Sequence, residues 1–285
     1  MPAKPPSLIS VSVLFQQLNN PSLIILDASI APVGKMATPR AAWPEVSIPN
    51  ARRFDIEGDF SDQCSQLPHT LPAPAQLKHA CQKLGINKDS FVVVYDSYGI
   101  FSSARAWYML KAMGLKHVEV LNGGLPEWLN QGYETTNAVL NSNWPLGNFT
   151  PSFDSRFFCN ADYVQDNLNN DDVKVLDARA FERFAGQTAE PREGVRSGHI
   201  PNALNLPYNH LIVNGHLKDL ASLKNAFDEK SIVAEDTLIM SCGSGITACI
   251  LALAAQIVGY ENITVYDGSW SEWGSAHNRP IEISK

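Results

Sequence analysis

The sequence predicts an α/β protein of two tandem domains, each a parallel sheet flanked by helices. Three observations carry this expectation. The chain has 285 residues, about twice the ~150 of a common domain. It also repeats itself once. Leu18-Asn19-Asn20 returns as Leu168-Asn169-Asn170, Leu26-Asp27-Ala28 as Leu176-Asp177-Ala178, Ile48-Pro49-Asn50-Ala51 as Ile200-Pro201-Asn202-Ala203, and Glu127-Trp128 as Glu272-Trp273. These matches keep their order at nearly constant offset, the mark of a duplicated domain; two copies of this length make a tandem pair, not a solenoid. Finally, short apolar runs alternate with helix-period segments in each copy, as in a parallel sheet covered on both faces.

In the first copy Leu23 to Leu26 reads as a strand ending at Asp27, and Phe91 to Tyr95 as a second. The latter is rich in β-branched residues without polar alternation, as expected of a strand buried on both faces. Ser102 to Met113 has helical periodicity and is stopped by Gly114; Val118 to Leu121 reads as a strand before Asn122-Gly123-Gly124. The second copy gives strands at Val173 to Leu176 and Thr237 to Met240, a helix from about Ile246 to Val258 stopped by Gly259, and a strand at Ile263 to Tyr266. The Asn- and Pro-rich stretch from about 137 to 158 lacks periodicity. The expected division is therefore a first domain at 1–140, a linker at 141–157 and a second domain at 158–285.

Composition narrows the function. With 45% hydrophobic and 18% charged residues the chain has ample material for packed cores. Its 22 Lys and Arg against 29 Asp and Glu leave a net charge of −7, which argues against nucleic-acid binding, since phosphate neutralisation needs clustered cations. The longest apolar run, Ala248 to Val258, is too short to span a bilayer, and the N-terminal segment lacks a cleavage signal. Five cysteines stand at 64, 81, 159, 242 and 249. Their odd number, without C-x-x-C or zinc-finger spacing, speaks against a disulfide framework or structural zinc and for a reducing cytoplasm.

The chemistry is expected beyond the carboxyl ends of the strands, where loops enter helix N-termini. There the copies differ: the first reads Tyr95-Asp96-Ser97-Tyr98-Gly99, the second Ser241-Cys242-Gly243-Ser244-Gly245-Ile246-Thr247-Ala248. Asp96 thus stands where the second copy has Cys242, so one copy carries a nucleophile and the other is scaffold. Gly243 and Gly245 permit backbone turns that gather successive N–H groups into an anion-binding nest. The helix that follows aims its positive end at the same place. Both favour a thiolate, or a persulfide anion, at Cys242. A core thiol would leave the two glycines without a packing purpose. A cysteine phosphatase needs Arg six residues after the Cys, where this chain has Ala248. Gly243-Ser-Gly245-Ile-Thr-Ala248 also fits a short dinucleotide fingerprint, but the other copy lacks it and such a turn needs no Cys.

The loop Cys242-Gly-Ser-Gly-Ile-Thr-Ala248 closely resembles that of the 3-mercaptopyruvate sulfurtransferases in the two-domain rhodanese family. The resemblance extends over nearly the whole chain: the Leu-Asp-Ala strands, Gly198-His199-Ile200-Pro201, Asp96 in place of Cys, and the Glu-Trp endings. Thiosulfate-preferring relatives carry Arg-Lys after the Cys, where this chain has Gly243 and Ser244. The resemblance implies that Arg183, of Arg183-Phe184, and Arg192, of Glu190-Pro191-Arg192, bind the donor's carboxylate and ketone. An Arg fork can grip a carboxylate through two hydrogen bonds, which Lys cannot reproduce. It further implies that Glu57 and His69 act with Ser244 on an acceptor thiol or water, though one more residue separates them here than in the family pattern. Arg179 is expected to brace Asp177, and His199 to bond backbone.

The implied activity is a ping-pong sulfur transfer. Cys242 takes a sulfane sulfur from 3-mercaptopyruvate as a persulfide held by residues 243 to 247 (Gly243, Ser244, Gly245, Ile246, Thr247), and passes it to a small thiol, thioredoxin or cyanide, with no metal or organic cofactor. Two other readings remain at this point: a thiosulfate:cyanide sulfurtransferase, and a non-catalytic persulfide carrier.

Overall fold

The computed structural model describes residues 7–30, 46–137 and 144–284. The chain divides into two compact units. The first comprises Met1–Gln63, Leu71–Asp154 and Asn214–Leu217; the second comprises Cys64–Thr70, Ser155–Val213 and Lys218–Lys285.

Each unit is built on a five-stranded, all-parallel sheet. In the first, the strands lie in the order Leu8–Ile9, Val118–Leu121, Phe91–Tyr95, Leu23–Asp27, Arg52–Arg53. In the second the order is Phe158–Cys159, Ile263–Tyr266, Thr237–Ser241, Val173–Asp177, Leu204–Asn205. The topology is the same, so the duplication seen in the sequence is a duplication of structure. The strands expected from apolar runs are all present. The edge strands, at two residues each, are too short to leave a periodic signal.

The central strands explain the sequence pattern. Val92 to Tyr95 and Leu238 to Ser241 are buried, flanked by neighbours in the sheet on both sides. Helix Ala248–Val258 is apolar almost all round. It lies between the strands Thr237–Ser241 and Ile263–Tyr266 and helix Leu220–Asp228, so both its faces are covered and Ala248 to Ala255 are buried. Gly259 ends it with φ +114°, a conformation only glycine adopts freely.

The expected linker is more ordered than its composition suggests. Residues 138–143 lie outside the described part. From residue 144 the segment runs along the first unit: Gly147 N–H donates to the Gln82 carbonyl at 2.9 Å, Phe149 N–H to Ile86 at 3.1 Å, and Asp154 N–H to Ala112 at 2.8 Å. Non-local backbone bonds of this kind leave no trace in composition.

Each central strand delivers its next residue to the loop at the carboxyl end of the sheet. In the first unit this residue is Asp96, which is fully buried. Its carboxylate accepts from Tyr98 N–H at 2.8 Å, Phe101 N–H at 2.7 Å, Ser103 N–H at 2.9 Å and the Ser103 hydroxyl at 2.6 Å. A protein anion thus fills the amide cup of this copy. Replacing it would leave buried donors unsatisfied. Asp96→Ala is therefore expected to lower stability by about 2–4 kcal/mol, read as an earlier urea midpoint; an unchanged midpoint would mean that these bonds do not hold the loop.

Candidate active site

The loop that carries Cys242 lies in the second unit. Strand Thr237–Ser241 hands over to Cys242, and the loop runs through residues 243 to 247 into helix Ala248–Val258. Two successive carbonyls of this loop are held on one side. The Cys242 carbonyl accepts from Trp270 N–H at 2.9 Å, and the Gly243 carbonyl from Ser271 N–H at 2.9 Å and the Ser271 hydroxyl at 2.6 Å. Because a trans peptide sets its N–H opposite its carbonyl, the amides of Gly243 and Ser244 face away from the segment Ser269–Trp273. The Cys242 amide itself donates to Ser269 Oγ at 3.2 Å. Ser269 sits at φ +48° and its hydroxyl donates to the Tyr266 carbonyl at 2.8 Å.

The two glycines prove to have different roles. Gly245 has φ +77°, the left-handed turn expected of a nest. Gly243 is not left-handed; its absent side chain leaves room for arginines. A Cβ built there would stand 3.3 Å from Arg183 Nη2 and 4.0 Å from Arg192 Nη1. The two arginines named from the sequence therefore converge on the residue that follows Cys242.

Their positions have local causes. Arg183 lies on the one-turn helix Phe181–Phe184, just beyond strand Val173–Asp177. Its Nε and Nη2 donate to the two oxygens of Glu190, at 3.1 and 2.6 Å. Arg179 also reaches Glu190, through Nη1 at 3.0 Å, while gripping Asp177 with Nε and Nη2 and donating to the Gly198 carbonyl at 2.8 Å. Its guanidinium rests 4.5 Å from the centre of the Trp270 ring. Arg179 thus braces the strand's carboxylate, as expected. Burial works against its charge, but Asp177 and Glu190 outweigh that and its pKa rises.

Arg192 differs. Among the described residues its hydrogen bond is to a neutral group, Ser271 Oγ at 3.5 Å. Burial lowers its pKa; the Cys242 sulfur raises it, Arg183 lowers it and Glu190 raises it. The loop carrying it is anchored at Arg196, which donates to the carbonyls of Gly274, Trp273, Ala276 and Arg279.

The remaining expected residues fall as follows. His69 Nδ1 lies 2.9 Å from Ser244 Oγ, and His69, at φ +60°, belongs to the segment Cys64–Thr70 that packs with the second unit. Glu57 belongs to the first unit, exposed in the turn 56–60, with its carbonyl accepting from Gln63. Ile246 is buried and Thr247 half-buried at the start of the helix. His199 places Nδ1 2.8 Å from the Phe184 carbonyl and stacks on that ring, the structural role expected for it. Three contributors were not singled out from the sequence: Glu190, Ser269 and Ser271. Glu190 was visible within Glu-Pro-Arg, and the serines within the run Asp267-Gly-Ser-Trp-Ser-Glu-Trp273, but only the fold shows what they touch.

Cys242 is 2% exposed. Burial pushes the thiols of Cys81 and Cys159 up to about 12, which keeps both protonated near neutrality. The buried Cys249 thiol donates to the Gly245 carbonyl at 3.2 Å, while Cys64 is exposed. The arrangement can hold a small carboxylate on a guanidinium fork beside one sulfur at a helix N-terminus.

Comparison with known proteins identifies the family. The rhodanese-like domain model matches residues 10–131 and again residues 160–276. The 3-mercaptopyruvate sulfurtransferase of Escherichia coli K12 is 36% identical, covering 95% of this chain and 96% of its own. The mitochondrial thiosulfate/3-mercaptopyruvate sulfurtransferase 1 of Arabidopsis thaliana is 36% identical over 96% of this chain and 77% of its own. The crystal structure of the Escherichia coli 3-mercaptopyruvate sulfotransferase SseA superimposes with a TM-score of 0.83 at 33% identity, covering 93% of this chain and 99% of that one. With each half matched by the same domain and nearly all of this chain covered by its relatives, the chain belongs to the rhodanese family, among its two-domain sulfurtransferases.

Proposed function

We propose that this chain takes the thiol sulfur of 3-mercaptopyruvate as the outer sulfur of a Cys242 persulfide and releases pyruvate. The observation that carries this reading is the convergence of Arg183 and Arg192 on Gly243, beside Cys242. A persulfide carrier has no need of a small-acid clamp.

The steps follow from the geometry. Arg183 and Arg192 hold the donor's carboxylate and ketone, bringing its sulfur to Cys242. The Cys242 thiolate attacks that sulfur; an S–S bond forms, the C–S bond breaks, and its electron pair passes to carbon as the pyruvate enolate. The guanidinium groups offset the enolate charge. The proton on the transferred sulfur then moves to the enolate carbon, leaving pyruvate and the anion Cys242–S–S⁻. The backbone of residues 243 to 247 cradles this anion, as the corresponding loop of the first unit cradles Asp96. An acceptor thiolate or cyanide then attacks the outer sulfur and restores the Cys242 thiolate.

His69 and Ser244, 2.9 Å apart, are proposed to relay the proton of an acceptor thiol; Glu57 joins them on the family resemblance alone. Thioredoxin, a small thiol and cyanide all suit this half-reaction. The free cysteines support a reducing compartment such as the cytoplasm, and among the described residues no helix is long and apolar enough to cross a membrane. A thiosulfate donor is the second reading, favoured by the double name of the Arabidopsis relative.

Intact mass measurement after mixing with 3-mercaptopyruvate is expected to show one added sulfur on the Cys242 peptide; Cys242→Ser should take up none and yield no pyruvate. A higher kcat/KM for thiosulfate than for 3-mercaptopyruvate would overturn the choice of donor. Arg183→Ala and Arg192→Ala are each expected to lower kcat/KM for the donor about a hundredfold, far more than they slow Cys242 alkylation. Normal donor kinetics would remove the arginine from the site. For His69→Ala the expectation is normal persulfide formation with discharge to a thiol slowed about tenfold or more; an unchanged discharge rate would leave His69 a structural residue.

A further inference from the structure

Glu190 sits between two arginines and has a third beside it. Its side chain is 4% exposed. Both oxygens accept from Arg183, and one also accepts from Arg179, whose guanidinium is otherwise occupied by Asp177. The charged groups felt by Arg192 are Cys242, Arg183 and Glu190. In this cluster the cations Arg179, Arg183 and Arg192 face the anions Asp177 and Glu190, leaving a single unit of positive charge. Ionising Cys242 brings the cluster to neutrality before any donor arrives. A donor that arrives with two negative charges brings its second charge to a cluster with no net positive charge left to offset it.

We infer that Glu190 is a specificity-determining positioning residue, fixing Arg183 beside Cys242 and favouring singly charged keto acids over dianionic sulfur donors. The inference rests on the donor site proposed above and assigns its charge selectivity to a residue that need not touch the donor. Arg183 is oriented by two bonds to a buried carboxylate, so its fork is set in advance. The same carboxylate repels each donor charge, and a dianion twice as strongly as a monoanion.

The test compares kcat/KM for 3-mercaptopyruvate and thiosulfate in the wild type, Glu190→Gln and Glu190→Asp. Glu190→Gln keeps the shape and removes the charge; the ratio is expected to move towards thiosulfate by about tenfold or more. Glu190→Asp keeps the charge on a shorter stem; both donors should slow together, with the ratio within about threefold of wild type. Parallel losses in Glu190→Gln, as from a merely structural residue, would overturn the inference. So would a tenfold shift in Glu190→Asp, which also decides the matter should Glu190→Gln fail to fold. A second measurement needs no turnover: protection of Cys242 from iodoacetamide by pyruvate and by sulfate. If neither anion protects the wild type, the donor site itself is wrong. If they protect it and Glu190→Gln leaves the sulfate-to-pyruvate ratio unchanged, only the role of Glu190 falls.

Discussion

The site depends on two peptide carbonyls being held on one side of a loop. Those of Cys242 and Gly243 are taken by the amides of Trp270 and Ser271 and by the Ser271 hydroxyl. Buried carbonyls must find donors, and by finding them here they turn the following amides towards the side where an anion can sit. The Cys242 amide is fixed by Ser269 in the same segment. The strand end, the loop and the start of the helix Ala248–Val258 are thus oriented by a stretch of chain more than twenty residues away.

Around this loop lies an alternating run of charges, Asp177, Arg179, Glu190 and Arg183. Burying such groups is costly, and a buried ion pair is a poor source of net stability even though breaking one is damaging. Its use here is positional. Arg179 is spent wholly on holding Asp177, Glu190 and the Gly198 carbonyl, which fixes Glu190, which in turn fixes Arg183. Arg192 is left with a hydroxyl in place of a carboxylate, and so keeps most of its charge for a ligand. Gly243 completes the arrangement by having no side chain where the two guanidinium groups meet.

The duplication gives the loop an internal reference. In both units the helix that follows the next strand donates an amide to the residue just past the central strand: Leu125 to the Asp96 carbonyl, Trp270 to that of Cys242. In the first unit a carboxylate collects the loop amides for itself. In the second, a neutral or singly charged sulfur stands at the same place. One scaffold therefore forms a closed structural turn in one copy and leaves the same place to a cysteine in the other, and the difference is one residue's chemistry.

The sequence by itself determined the tandem α/β architecture, because apolar runs, their spacing and the Leu-Asp-Ala and Ile-Pro-Asn-Ala repeats are local or periodic features. It also marked the loop from Cys242 to Ala248, and the family resemblance pointed to the arginine pair, since each belongs to a contiguous motif. Tertiary structure alone decided the rest. The two-residue edge strands form only because a neighbour offers a ladder. Segment Cys64–Thr70 joins the second unit and brings His69 to Ser244. Gly243 serves as space and not as a left-handed turn. The roles of Glu190, Ser269 and Ser271 come from hydrogen bonds and ion pairs whose partners lie up to 79 residues along the chain. Such pairings are chosen by how the folded backbone brings donors to acceptors, and no pattern of neighbouring residues encodes that choice.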